Sequence, residues 1–154
     1  MQWMLLPALA AALAWPALPA VGQTTGAAKA EVQQSEEYGA YLTDADGRAL
    51  YLFTTDQQGG ANAEARSSCY DSCAEAWPPL MTEGEPQAGE QVDASLLGTI
   101  ERQDGATQVT YNGWPLYYFV QDQGPGDVKG QDKHGFGGEW YLLGPEGEKV
   151  EESE

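Results

Sequence analysis

The chain has 154 residues and a formal net charge of −17 with a pI near 4.1, sized for one domain of ordinary dimensions. So strong a negative balance excludes nucleic acid and anionic membrane surfaces as partners, because both would repel it. It is consistent with a cationic or basic partner, though a solvated acidic surface that serves solubility or a salty habitat is the plainer expectation. A 42% hydrophobic content permits a core, while 19 Gly and 9 Pro require that core to be interrupted by many turns.

The segment Met4 to Leu18 is apolar and uncharged and is followed by the small residues of "LPAVGQ". This is the layout of a secretory signal peptide spanning residues 1–22, with the mature chain expected to begin at Gln23. Three prolines (Pro7, Pro16 and Pro19) argue against a membrane-spanning helix. No cysteine lies near the cleavage site, so the expected product is exported, periplasmic or extracellular, without a lipid anchor. Residues 23–37 lack apolar periodicity and read as a flexible acidic lead-in.

Two copies of one pattern follow. Residues 38–81 form the first, opening with "YGAYLTDADGRALYLFTTD", two β-rich runs around an Asp-Ala-Asp-Gly turn in which Gly47 is free to take positive φ. The polar loop "QQGGANAEARSSCYDSCAEA" carries one helical turn around the cysteines, and "WPPLM" restores an extended segment, since a residue before proline is pushed from the helical region. Residues 82–103 are a Gly/Pro/Glu connector leading into the first strand of the second half. The second copy occupies 104–143, where Asp104-Gly105 and Asn112-Gly113 are strong hairpin signals. It ends in a long glycine-rich loop, "QGPGDVKGQDKHGFGG", and the apolar strand "EWYLL"; residues 144–154 read as an acidic tail. The expected fold is all-β, a small antiparallel domain built from two similar β-meander repeats that pack together, because a sheet of about three strands cannot bury both faces alone.

The repeated motif is Leu-Tyr-x-Phe-x-x-Asp, with Tyr51, Phe53 and Asp56 in one copy and Tyr117, Phe119 and Asp122 in the other. Tyr and Phe two residues apart share one strand face, and Leu50 and Leu52 take the other, which predicts burial on both sides. Each Asp sits where its strand gives way to a turn, and a short carboxylate there is expected to accept backbone N–H bonds two or three residues on. Duplication favours this structural role over an active site. The motifs, with "SCYDSCAEAWPPL" and "YNGWPLYYFVQDQGPGDVKGQ", resemble a secreted-repeat family of predicted lipoproteins carrying a Tyr-x-(Phe/Trp/Tyr)-x-x-Asp motif. The resemblance implies export and duplication and brings no activity or ligand. The chain departs from the lipoprotein pattern in lacking a lipobox cysteine.

Cys69 and Cys73 are the only cysteines, and in an exported protein such a pair is expected to be a disulfide. Cys-x-x-x-Cys followed by Ala-Glu-Ala-Trp excludes covalent haem attachment. His134, the single histidine, cannot build a triad, a two-histidine zinc site or a blue-copper centre. "DADG" fails the twelve-residue calcium pattern. No catalytic residue, no metal ligand and no cofactor is therefore assigned. The sequence reads as a non-catalytic envelope module that binds a partner or small ligand, with a metal-handling or electron-transfer accessory as the alternative.

Overall fold

The computed structural model describes residues 26–151, and the expected signal peptide lies outside them. Among the described residues, nine strands and one short α-helix carry the fold: β1 (Lys29–Ser35), β2 (Gly39–Thr43), β3 (Tyr51–Phe53), α1 (Ser72–Ala76), β4 (Gln87–Ala88), β5 (Leu97–Glu101), β6 (Thr107–Tyr111), β7 (Trp114–Pro115), β8 (Lys133–Gly135) and β9 (Gly138–Leu142). They form three small sheets in the orders β2-β1-β4, β3-β9-β8 and β5-β6-β7, antiparallel except for β1 with β4. The architecture is all-β, as expected.

The turns fall where short glycine-containing dipeptides place them. Asn112 and Gly113, at φ 50° and 80°, join β6 to β7 so that Tyr111 faces Trp114. Both Asp-Gly turns close in one way: Gly47 N–H bonds to the Asp44 carbonyl, and Gly105 N–H bonds to the Arg102 carbonyl. The glycine-rich loop of the second copy is shorter than its composition suggests, because Phe136 and Gly137 make a two-residue turn between β8 and β9.

Two expectations are corrected. The lead-in is not a flexible segment: its residues 29–35 are β1, paired with β2 over five positions from Glu31–Thr43 to Ser35–Gly39. Lost periodicity did not matter, because Val32 faces Leu42 and packs against the second of two core clusters while its neighbours stay half-exposed. The tail is likewise anchored as far as Val150, which is buried and donates its N–H to the Leu142 carbonyl.

The core has two layers on opposite faces of the motif strands. Tyr51, Phe53, Tyr117 and Phe119 enter one cluster with Trp77, Trp140 and the cysteines. Leu50, Leu52 and Leu116 enter the other with Leu42, Val109 and Tyr111. Fully extended alternation therefore buries both faces of the central strands, as the Leu/Tyr spelling predicts.

Each copy ends its meander on the other. β3 pairs on one side with β9, Tyr51 opposite Leu142 and Phe53 opposite Trp140, although β9 closes the second copy. On its other side, Tyr51 and Tyr117 exchange reciprocal backbone bonds of 2.8 and 3.0 Å. The second motif strand in turn receives the "WPPL" segment of the first copy, through Pro79 opposite Tyr117 and a 2.7 Å bond from Tyr118 N–H to the Pro78 carbonyl. A pseudo-twofold axis thus passes between Tyr51 and Tyr117.

Candidate functional site

The motif side chains converge on that axis. Tyr51 donates its hydroxyl to Asp122 Oδ2 at 2.6 Å, and Tyr117 donates to Asp56 Oδ2 at 2.5 Å. The pairing is crossed, since each tyrosine bonds the aspartate of the other copy. Within one copy, five residues of extended chain would separate Tyr from Asp by about 16 Å, so a partner from the opposite copy is the one within reach. Both aspartates are buried, at 6% and 4% exposure, and so are both tyrosines.

The turn role expected of the aspartates is corrected in its partners. The local turns are closed by backbone, Asp56 N–H to the Phe53 carbonyl and Asp122 N–H to the Phe119 carbonyl. The side chains reach further along the chain. Asp56 Oδ1 accepts Ser68 N–H at 2.7 Å and the Ser68 hydroxyl at 2.8 Å, and Asp122 Oδ1 accepts Lys129 N–H at 2.9 Å. Each carboxylate therefore pins the loop that follows its strand, twelve and seven residues on, instead of the next turn.

Around these pairs the aromatic rings are symmetric. Phe53, Trp140, Trp77 and Phe119 form one continuous stack, with centroid separations of 3.9, 4.0 and 4.1 Å along the series. The two indoles at its centre are parallel within 1°. Tyr51 stands edge-on to Trp77 at 5.5 Å and Tyr117 edge-on to Trp140 at 5.2 Å. Gly130 is required here: a Cβ on it would lie 2.8 Å from both Trp77 and Tyr51 ring atoms.

Burial governs the electrostatics. It pushes the Asp56 carboxyl above its ordinary value, against the lowering effect of the Tyr117 and Ser68 hydrogen bonds and of Arg102. It raises Asp122 likewise, against Tyr51 and the Lys129 N–H. Both tyrosine hydroxyls are pushed far up, first by burial and then by the carboxylates they face, so they remain protonated donors. The Tyr117–Asp56 pair has an additional neighbour. Arg102, 3% exposed, bonds Gln108 Oε1 at 2.7 Å, the Cys69 carbonyl at 2.6 Å and Ser67 Oγ at 3.0 Å, and Ser67 Oγ lies 2.6 Å from the Tyr117 hydroxyl.

Cys69 and Cys73 are joined in a disulfide, with Cα atoms 5.2 Å apart, at the start of α1. Both sulfurs belong to the core around Trp77. His134 lies on exposed β8, 3.5 Å from Glu139, remote in role from the motif pairs. Among the described residues no group of three or more His, Cys, Asp and Glu side chains converges where a metal ion could sit. No described helix is long and apolar enough to cross a membrane.

The pattern of a family described as a secreted repeat of unknown function matches residues 34–81 and 98–143. The chain belongs to this family. The two matches coincide with the two halves related by the pseudo-twofold axis, and they take in both Tyr-Asp motifs. No curated protein and no solved structure matches the chain.

Sequence reasoning placed Tyr51, Phe53, Tyr117 and Phe119 on buried strand faces, and put Asp56 and Asp122 at turns and not in the core where they lie. It missed what completes them: Ser67, Ser68, Arg102, Gln108 and Gly130. None of these five carries a sequence signal of its own. The repeated polar motif supplies two copies of each donor and acceptor, and its spelling does not say whether they pair within a copy or across.

Proposed function

We propose that this secreted repeat protein is a non-catalytic binding module of the cell envelope, periplasmic or extracellular, that receives a cationic partner on its acidic surface. The observation that carries the reading is how carboxylates are partitioned. Of the described acidic residues, Asp56 and Asp122 are buried and committed to tyrosines of the opposite copy, while every other Asp and Glu retains solvent exposure. The side chains with chemistry in them hold the halves together, and what is presented outward is negative charge. A net charge of −17 raises the local concentration of cationic solutes and speeds their association, most strongly at low salt.

Calorimetric titration with a lysine homopolymer of about twenty residues tests this. Saturable binding that weakens between 0.05 and 0.5 M salt is expected, as screening shortens the reach of surface charge to about 4 Å. Absence of binding at low salt would overturn the reading, and one tightly held copper or calcium ion per chain would replace it with a metal-handling role.

A further inference from the structure

The two halves differ at one sheet edge. The Leu42 carbonyl accepts Leu50 N–H, as the Val109 carbonyl accepts Leu116 N–H, each at 3.0 Å. Leu42 therefore corresponds to Val109. Val32 lies opposite Leu42 and Thr99 opposite Val109, so β1 of the first half corresponds to β5 of the second, with Ala30 at the place of Leu97.

On β1 the outer edge is covered. The connector runs alongside as β4, parallel to β1, with Gln87 N–H bonded to the Ala28 carbonyl and Gly89 N–H to the Ala30 carbonyl, both at 2.8 Å. On β5 it is bare. The Leu96 carbonyl accepts Asn112 N–H and Arg102 N–H bonds to Ala106, so the alternation of antiparallel pairs turns Gly98 and Ile100 toward β6 and Leu97, Thr99 and Glu101 outward. Among the described residues, the N–H groups of Thr99 and Glu101 and the carbonyls of Leu97 and Thr99 have no partner. The segment that follows the second half as the connector follows the first does not cover them. It turns back at Gly144–Glu148 and pairs with β9.

Two surface depressions meet at Thr99. One runs along Leu97 and Gly98 past Glu85 and Pro86, and the other along Ile100 and Glu101 past Glu64 and Arg66. Glu85 lines the first, Glu64 and the exposed Glu101 line the second, and Arg66 is the one basic residue beside these three carboxylates.

We propose that the β5 edge receives an extended segment of another protein that carries lysine or arginine side chains, added as a strand in the place that β4 holds on β1. The proposal rests on the reading of the chain as a binder of cationic partners and specifies where they dock and in what form. Backbone bonds to Leu97, Thr99 and Glu101 supply the pairing, as in other strand additions. Gly98 leaves its position without a side chain, and Glu64, Glu85 and Glu101 set the preference for basic residues on the added strand. An unpaired edge of this length otherwise invites uncontrolled pairing, and the carboxylates restrict which strands can approach.

The test uses the exported chain and an eight-residue peptide alternating lysine and valine, at 0.15 M salt. Amide exchange is followed by NMR alongside binding. Saturable binding should slow exchange at Thr99 and Glu101 at least tenfold. Thr99→Pro, which removes the central donor, should weaken binding at least tenfold while melting as a folded protein, and Glu101→Gln should weaken it severalfold in the unaltered backbone. Binding that protects neither amide overturns the edge proposal and leaves the broader reading standing. No saturable binding of the peptide or of the lysine homopolymer overturns both. Protection of these amides without peptide, rising with protein concentration, overturns the basic occupant and makes the edge a contact between copies of this chain.

Discussion

Replacing Tyr51 by Phe removes one hydroxyl and little volume. It takes from Asp122 its 2.6 Å donor, leaving Lys129 N–H as the remaining partner of a carboxylate that is 4% exposed, and it strips Gly130 N–H of its acceptor. A hydrogen bond to a charged group contributes about 1.5–3 kcal/mol. For the 126 residues from 26 to 151, an unfolding entropy of about 2.1 cal/mol/K per residue converts this to a fall in melting temperature of about 6–11 °C. The crossed geometry makes a sharper claim, which a double-mutant cycle reads. Tyr51→Phe combined with Asp122→Asn should show a coupling energy of at least about 1 kcal/mol, because the two changes break one bond. Tyr51→Phe combined with Asp56→Asn should be additive within about 0.5 kcal/mol, because no hydrogen bond joins that pair although both belong to one motif. Thermal and urea melts at pH 7 supply the energies. Coupling that follows Tyr51 with Asp56 would refute the exchange between halves.

Burial raises both motif aspartates above the ordinary 3.8. The folded state therefore binds their protons more tightly than the unfolded chain, and stability from these groups should rise as pH falls from 7 through the raised values and level off below 3.8. Melts of the wild type and of Asp56→Asn/Asp122→Asn across this range should show a smaller rise in the variant. Reducing the Cys69–Cys73 disulfide, which closes a loop with a separation of four residues, should cost about 2 kcal/mol; thiol labelling of the unreduced, denatured protein should find no free cysteine. Gly130→Ala, whose Cβ would meet Trp77 and Tyr51 at 2.8 Å, should destabilise by about 1–3 kcal/mol, whereas Gly124→Ala, with open space around it, should melt within a degree or two of wild type.

Local features were legible in the sequence because local chemistry decides them. Asn112-Gly113 set its hairpin, and the alternation Leu50-Tyr51-Leu52-Phe53 divided the core into two layers. The two cysteines pair as a disulfide, although only Cys73 lies in α1 and Asp71, at φ 55°, breaks the helical turn expected between them. β1 was hidden because only Ala30 and Val32 of its seven residues are apolar and only Ala30 is buried, and its strand state comes from β2 and β4 on either side. Pairing between copies was hidden for a different reason. Two identical motifs offer the same donors and acceptors whether they pair within a copy or across, so spelling alone does not choose. The choice is made by reach and by the aromatic stack, in which Phe53 needs Trp140 and Phe119 needs Trp77. Arg102 gave no signal at all, since a lone arginine beside an Asp-Gly turn reads as surface until Gln108 and the Cys69 carbonyl are seen around it.

The exchange of closing strands sets an order of events for a chain that emerges from its N-terminus. The β1–β2 hairpin can form as soon as Thr43 is out, since its register is local. β3 cannot be completed then, because its neighbours are Tyr117 and the strand ending at Leu142. Trp77 and the first copy's own closing segment must likewise wait for Phe119 and Tyr117. Contacts of such long sequence separation are slow to form, so the leading half spends the interval with two apolar strands and an indole uncovered. Folding is therefore tied to release of the whole chain, and a carrier that shields the leading half until Val150 has passed would raise the yield of native protein more than any change that speeds the hairpins.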